Sequence, residues 1–264
     1  MYKVTKYPHG TFSWAECSTT DQASGKKFYT EVFGWGTEDL PMGEGQFYTM
    51  FKQDGENVGA ISPMQAEMQE QGIPPMWNNY ITVDDVDSLV EKVKKHGGTV
   101  ISEPFDVFED GRMMVLQDPT GGTISLWQAK NTIGAGLVNT VGAMLWNELS
   151  TDEPQKAMDF YRNLLGWEYQ QDGDRDYWMI VNNGRMNGGI FKLPEEMSEM
   201  PSVWMVYYNV ADLAGTLEKI TANNGAIHMK GEAEGVGKFA VVADPQGATF
   251  YVMEAKNIEA WEEN

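Results

Sequence analysis

The chain has 264 residues, 42% of them hydrophobic, and a single cysteine, Cys17. That is ample apolar material for packed cores, long for one core and comfortable for two, and it excludes an intrachain disulfide. The 39 acidic against 19 basic residues leave a net charge of −20, a field that repels phosphate backbones and argues against a nucleic-acid partner while favouring solubility or a cationic ligand.

No apolar run approaches the ~20 residues of a membrane span. The opening MYKVTKYPHG lacks the apolar stretch of a secretory signal. The expectation is therefore a cytoplasmic chain without a membrane partner, monomeric or homodimeric.

In chain order, Thr11 to Thr19 reads as a strand and Asp21 to Gly34 as a helix, with Phe28, Tyr29, Val32 and Phe33 at helical spacing and Gly34 closing it. Gln46 to Lys52 and Asn57 to Ser62 read as strands around a Gln53-Asp54-Gly55 turn. A Met- and Gln-rich stretch, Pro63 to Pro75, reads as a loop. Strand Trp77 to Val83, helix Val86 to His96 and strands Thr99 to Phe105, Arg112 to Gln117 and Thr123 to Gln128 complete the first half. The same order of events then recurs: strand Ala143 to Ser150, helix Gln155 to Leu165, and strands at Tyr177 to Val181 and Asn187 to Lys192. Strand Val203 to Val210, helix Leu213 to Asn223 and three closing strands, the last Thr249 to Met253, follow. A small acidic cluster, Glu254 to Glu263, ends the chain.

The chain is thus written twice. STTDQASGKKFYTEVFGW (Ser18 to Trp35) and STDEPQKAMDFYRNLLGW (Ser150 to Trp167) keep Ser-Thr, Phe-Tyr and Gly-Trp at identical spacing; Trp14-Ala15-Glu16 aligns with Trp146-Asn147-Glu148, and Asp118-Pro119 with Asp244-Pro245. Internal repetition sets the fold before any other reading. The expected division is residues 1–130, a glycine-bearing linker 131–142, and residues 143–264.

These motifs, repeated together, resemble the vicinal oxygen chelate superfamily of glyoxalases, bleomycin-resistance proteins and extradiol dioxygenases. The resemblance implies an α+β fold: two tandem domains, each of two βαβββ units forming a half-open curved mixed sheet around a cavity. The motifs themselves have structural explanations. Phe-Tyr is the buried face of the first helix, Gly-Trp closes it, and Asp-Pro-x-Gly is a turn.

In the family the cup holds a divalent metal on His and Glu, open to two substrate oxygens. The corresponding positions here fall on Trp14 and Trp146, Asn78 and Met205, Ser125 and Tyr251. The three histidines, His9, His96 and His228, lie elsewhere. The expectation is no metal and no cofactor, but an aromatic pocket for a small apolar or aromatic molecule lined also by Tyr80, Trp127 and Tyr207.

Strand alternation places Glu16 and Glu148 on the same inward face as Trp14 and Trp146. A carboxylate there could bind a cationic group or serve as the general base of a metal-independent isomerase or lyase; it could equally be a satisfied structural acceptor. Cys17 has outward parity and reads as a packed thiol. Three further readings stay open: metal-dependent glyoxalase or dioxygenase chemistry if this mapping is misregistered, cups filled by their own side chains, and lids at Pro63 to Pro75 and Glu195 to Pro201.

Overall fold

The computed structural model describes residues 3–256 and residue 258; most of the acidic tail lies outside them. The first half contains β1 (Thr11–Thr19), α1 (Gln22–Phe33), β2 (Gly36–Gly43), β3 (Gln46–Gln53), β4 (Glu56–Pro63), α2 (Ala66–Glu70), β5 (Met76–Thr82), α3 (Val90–Lys95), β6 (Thr99–Val107), β7 (Gly111–Gln117) and β8 (Thr123–Ala129). The second repeats it with β9 (Met144–Thr151), α4 (Pro154–Leu165), β10 (Glu168–Gln171), β11 (Tyr177–Asn182), β12 (Arg185–Lys192), β13 (Val203–Asn209), α5 (Leu213–Ala222), β14 (Ala226–Ala233), β15 (Gly237–Ala243) and β16 (Thr249–Ala255).

Each half forms one open eight-stranded mixed sheet, in the orders β2-β3-β4-β1-β5-β8-β7-β6 and β10-β11-β12-β9-β13-β16-β15-β14. The two units of a half meet at an antiparallel seam, β1 with β5 and β9 with β13. Each seam strand also pairs in parallel with the last strand of its own unit. The units therefore pair within each half.

Four segments depart from the sequence reading. β2 and β10 were not located as strands: β2 is exposed along its whole length and interrupted by glycine and proline, so no burial pattern marks it. Within the Pro63 to Pro75 loop a five-residue helix, α2, forms without burying any residue. The helix expected from Val86 begins as a 3-10 turn at Asp87–Leu89 before α3.

Helix ends follow local chemistry. The Asp21 side chain accepts from Ser24 N at 3.0 Å to start α1, and Pro154 sits at the first turn of α4, where its missing N–H costs nothing. Gly34 and Gly166 close α1 and α4 in the left-handed region at φ 74° and 75°.

The large core runs continuously through both halves. The Tyr29 hydroxyl of α1 receives the Trp77 indole N–H at 3.0 Å and donates to Asp244 of the other half at 3.0 Å. Reciprocally, Tyr161 of α4 receives Trp204 at 2.9 Å and donates to Asp118 at 2.8 Å. Trp35 donates to Gly142 O and Trp167 to Gly10 O, at 2.8 and 2.7 Å. The repeated motifs are thus the contacts that join one half to the other.

The stretch between the sheets is packed. Ala135 N donates to Ser13 O, Gly136 N to Asn57 O and Gly142 N to Asn209 O, each at 2.8 Å. A Cβ at Gly134 would lie 2.4 Å from Ser13 O, so this close approach requires glycine.

Candidate functional site

The candidate residues gather on one face of each sheet: Trp14, Tyr80 and Trp127 of the first half are part of the large core, whereas Tyr207, Tyr251 and Met253 of the second form a cluster of their own. A register shift falls between Phe12 and Trp14 in β1. It leaves Phe12 against the Trp167 and Trp204 rings of the core and sends Trp14, Glu16 and Ser18 to the cup, with Ala15 and Cys17 on the core side. The matching shift in β9 lies between Met144 and Trp146. Cys17 is fully buried beside Tyr29, and burial pushes its thiol well up.

In cup 1, Glu16 is half-buried. Its carboxylate accepts from Ser62 Oγ at 2.5 Å, Tyr80 Oη at 2.8 Å and Tyr48 Oη at 3.2 Å. Tyr48 in turn receives the Trp14 indole N–H at 3.0 Å. Ser125 bonds Tyr80 from the neighbouring strand, and Asn78 lies directly across from Glu16. Trp127 is held near the end of β8 by its N–H to Thr132 O at 2.8 Å. Its ring covers Gly111, where a Cβ would come within 2.2 Å of it.

Cup 2 repeats the plan with more aromatic material. Glu148 is 6% exposed, and the hydroxyls of Tyr207, Tyr177 and Tyr251 bond its carboxylate. Trp146 Nε1 donates to Tyr177 Oη at 2.8 Å. Tyr207 and Tyr251 stack with ring centroids 3.9 Å apart and planes 4° from parallel. Met205 lies opposite Glu148. With Met253, Phe239 and Trp146 these rings form an apolar cluster separate from the main core.

Burial pushes the Glu148 carboxyl up to about 7, and the three tyrosine hydroxyls hold it down only in part. Burial, then the charge of Glu148, pushes the hydroxyls of Tyr177, Tyr207 and Tyr251 upward, so they remain protonated donors.

The sequence model of the Glyoxalase/Bleomycin resistance protein/Dioxygenase superfamily matches residues 11–126 and 142–252. The chain belongs to this superfamily. CFP32 of Mycobacterium tuberculosis, whose name assigns it provisionally to the glyoxylases, is 42% identical over 259 residues, covering 96% of this chain and 98% of its own length. The anthracycline biosynthesis protein DnrV of Streptomyces peucetius is 29% identical, with 96% of each chain covered. Among solved structures, the Mn(II)-bound glyoxalase from Novosphingobium aromaticivorans superposes with a TM-score of 0.65 at 15% identity, over 95% of this chain and 83% of that one. The 2,3-dioxygenase LapB from Pseudomonas sp. KL28 does so at 0.65 and 14%, over 96% and 95%. At those identities the likeness is one of fold.

The superfamily's metal can be tested against the residues present. A catalytic divalent site needs about three N, O or S protein ligands converging on an open position. Each cup offers one carboxylate, already surrounded by hydroxyl donors, beside Trp, Tyr, Met, Asn or Ser. Among the described residues no three His, Cys, Asp or Glu side chains converge. The donor set does not fit such a metal.

Sequence reasoning missed Tyr48, Tyr177 and Ser62. The two tyrosines occupy equivalent positions on β3 and β11, so comparing the halves beyond the first strand would have found them. Gly189 escaped too: a Cβ there would lie 2.0 Å from Tyr177 Oη, so the missing side chain makes room for the hydroxyl that reaches Glu148.

Proposed function

We propose that the cups bind a small apolar or aromatic molecule without a metal ion, the floor carboxylate receiving a cationic or hydrogen-bond-donating group. The observation that carries this is the twice-built constellation of indole, tyrosine, glutamate and second tyrosine on one face of each sheet. An aromatic wall with a few converging polar groups is the usual make-up of a small-molecule site. Cup 2 suits a flat ring better, because its wall carries the stacked Tyr207–Tyr251 pair where cup 1 has Tyr80 beside Ser125. The relatives named for anthracycline biosynthesis agree with a flat aromatic ligand.

Fluorescence titration with 9-aminoacridine, a flat aromatic cation, tests this reading against the anionic 9-anthracenecarboxylate. Saturable binding of the cation, weakened roughly ten-fold or more by Glu148→Gln, supports it. Equal binding of both probes, or no effect of Glu148→Gln and Glu16→Gln, removes the carboxylate from the account.

A second reading takes Glu148 as the base of an isomerase or lyase, favoured by a carboxyl poised near neutrality. Solvent-deuterium exchange into the α-position of an aromatic ketone, followed by NMR, should then rise through pH 7 and vanish in Glu148→Gln. Exchange no faster than in buffer rejects that reading.

A further inference from the structure

The duplication exposes a second difference between the halves, away from the cups. In the first half the groove between α1 and the β3–β4 sheet is filled by the chain's own side chains. Gln22 Nε2 donates to Phe47 O, Thr49 Oγ1 and Ile61 O at 2.7, 3.1 and 3.0 Å. The Lys26 ammonium binds both oxygens of Asp39 at 2.9 and 2.8 Å, and Thr49 donates to Asp39 at 2.6 Å. Gln246 Nε2 reaches across from the other half to Ser24 Oγ at 2.9 Å.

At the corresponding places in the second half stand Pro154 for Gln22, Met158 for Lys26, Trp178 for Thr49, Gln171 for Asp39 and Thr120 for Gln246. None of those bonds has a counterpart. Lys156, at the place of Ser24, turns instead to Glu153 at 2.9 Å, and the Thr120 hydroxyl bonds Asp118 of its own turn at 2.7 Å. What is left is an open groove of about 1010 Å³ between α4, β11 and β12 and the Asp118-Pro119 turn of the first half. Its wall carries the half-buried Trp178 ring, His96, the ammonium groups of Lys156 and Lys192, and four carboxylates, of which Glu153 is paired with Lys156 and Asp159 with Arg162, leaving Asp152 and Asp176 outside those pairs.

We propose that this groove binds a small organic cation, an alkyl- or arylammonium ion. Its charged end would stand against the Trp178 ring near Asp176, where the first half sets the Lys26 ammonium beside Asp39. An indole face is the best of the aromatic partners for a cation, and Asp152 and Asp176, within a chain of net charge −20, supply complementary potential. Pro154 keeps the site open, because the glutamine at the same helix position in the first half is what closes its groove.

Calorimetric titration of the full chain with benzyltrimethylammonium, with benzyl alcohol as the neutral analogue, tests the proposal. The expected result is saturable binding of the cation that weakens roughly ten-fold or more in Trp178→Thr and in Pro154→Gln. Pro154→Gln introduces the first half's own residue and keeps the helix start, so it reports on occupancy even if Trp178→Thr perturbs folding. The same binding should survive Glu16→Gln and Glu148→Gln, which empty the cups of their carboxylates; binding lost only in those two variants would place the cation in the cups and overturn the proposal. It is equally overturned by no saturable binding up to about 10 mM, by equal binding of benzyl alcohol, or by Pro154→Gln binding as well as the parent.

Discussion

A carboxylate almost removed from water, yet facing three hydroxyls, makes Glu148 the residue on which most of the chemistry turns. Its carboxyl is raised from an ordinary 4.5 to about 7. The folded chain therefore holds the proton more tightly than the unfolded chain, and stability falls as pH rises from about 4.5 to 7, then levels. Over that window Glu148→Gln should gain up to about 3 kcal/mol relative to the parent, with the difference flat above pH 7. Denaturation midpoints of the two proteins across this range check the sign; a gap independent of pH would mean that Glu148 is ordinarily solvated. A neighbouring test is Gly189→Ala. The added methyl would meet Tyr177 Oη, so tyrosine and glutamate must part, at a stability cost of about 1–3 kcal/mol, and 9-aminoacridine binding should weaken. Unchanged affinity would show that Tyr177 plays no part in the site.

At the scale of elements, legibility followed burial. Strands that alternate between core and cup, such as β1 and β9, were readable, and so were the inward places of Trp14, Glu16, Trp146 and Glu148, because the register shift falls before the tryptophan and leaves the later alternation intact. β2 carries no buried residue and β10 is four residues long, so neither leaves a periodic signal. Tyr48 stayed hidden because it reaches Glu16 across the intervening strand β4, a contact that strand parity does not encode. Nor could the repeats tell which copy of Phe-Tyr meets which Asp-Pro, since each copy reads alike. The structure pairs them crosswise, and that carries a prediction. Tyr161→Phe leaves the buried Trp204 indole N–H and Asp118 Oδ2 without a partner, and Tyr29→Phe leaves the Trp77 indole N–H unpaired and Asp244 Oδ2 with only the Cys17 thiol at 3.9 Å, at about 3 kcal/mol per variant. A loss below about 0.5 kcal/mol in urea unfolding would mean these relays hold nothing together.

At the scale of the whole molecule, one core runs through both halves, and the segment joining them is tied to each. Heating should therefore give a single calorimetric transition with matching van't Hoff and calorimetric enthalpies; two resolved transitions would show that the halves fold independently. Among the described residues no helix is long and apolar enough to cross a membrane. Each cup carries a glutamate bonded by tyrosine hydroxyls, where a divalent metal would need several convergent ligands. The most direct measurement is metal analysis of the purified full chain joined to a calorimetric Mn²⁺ titration of the parent, Glu16→Gln and Glu148→Gln. The account predicts no stoichiometric transition metal and no saturable Mn²⁺ binding that depends on either glutamate. One tightly held ion per cup, lost with its glutamate, would contradict it.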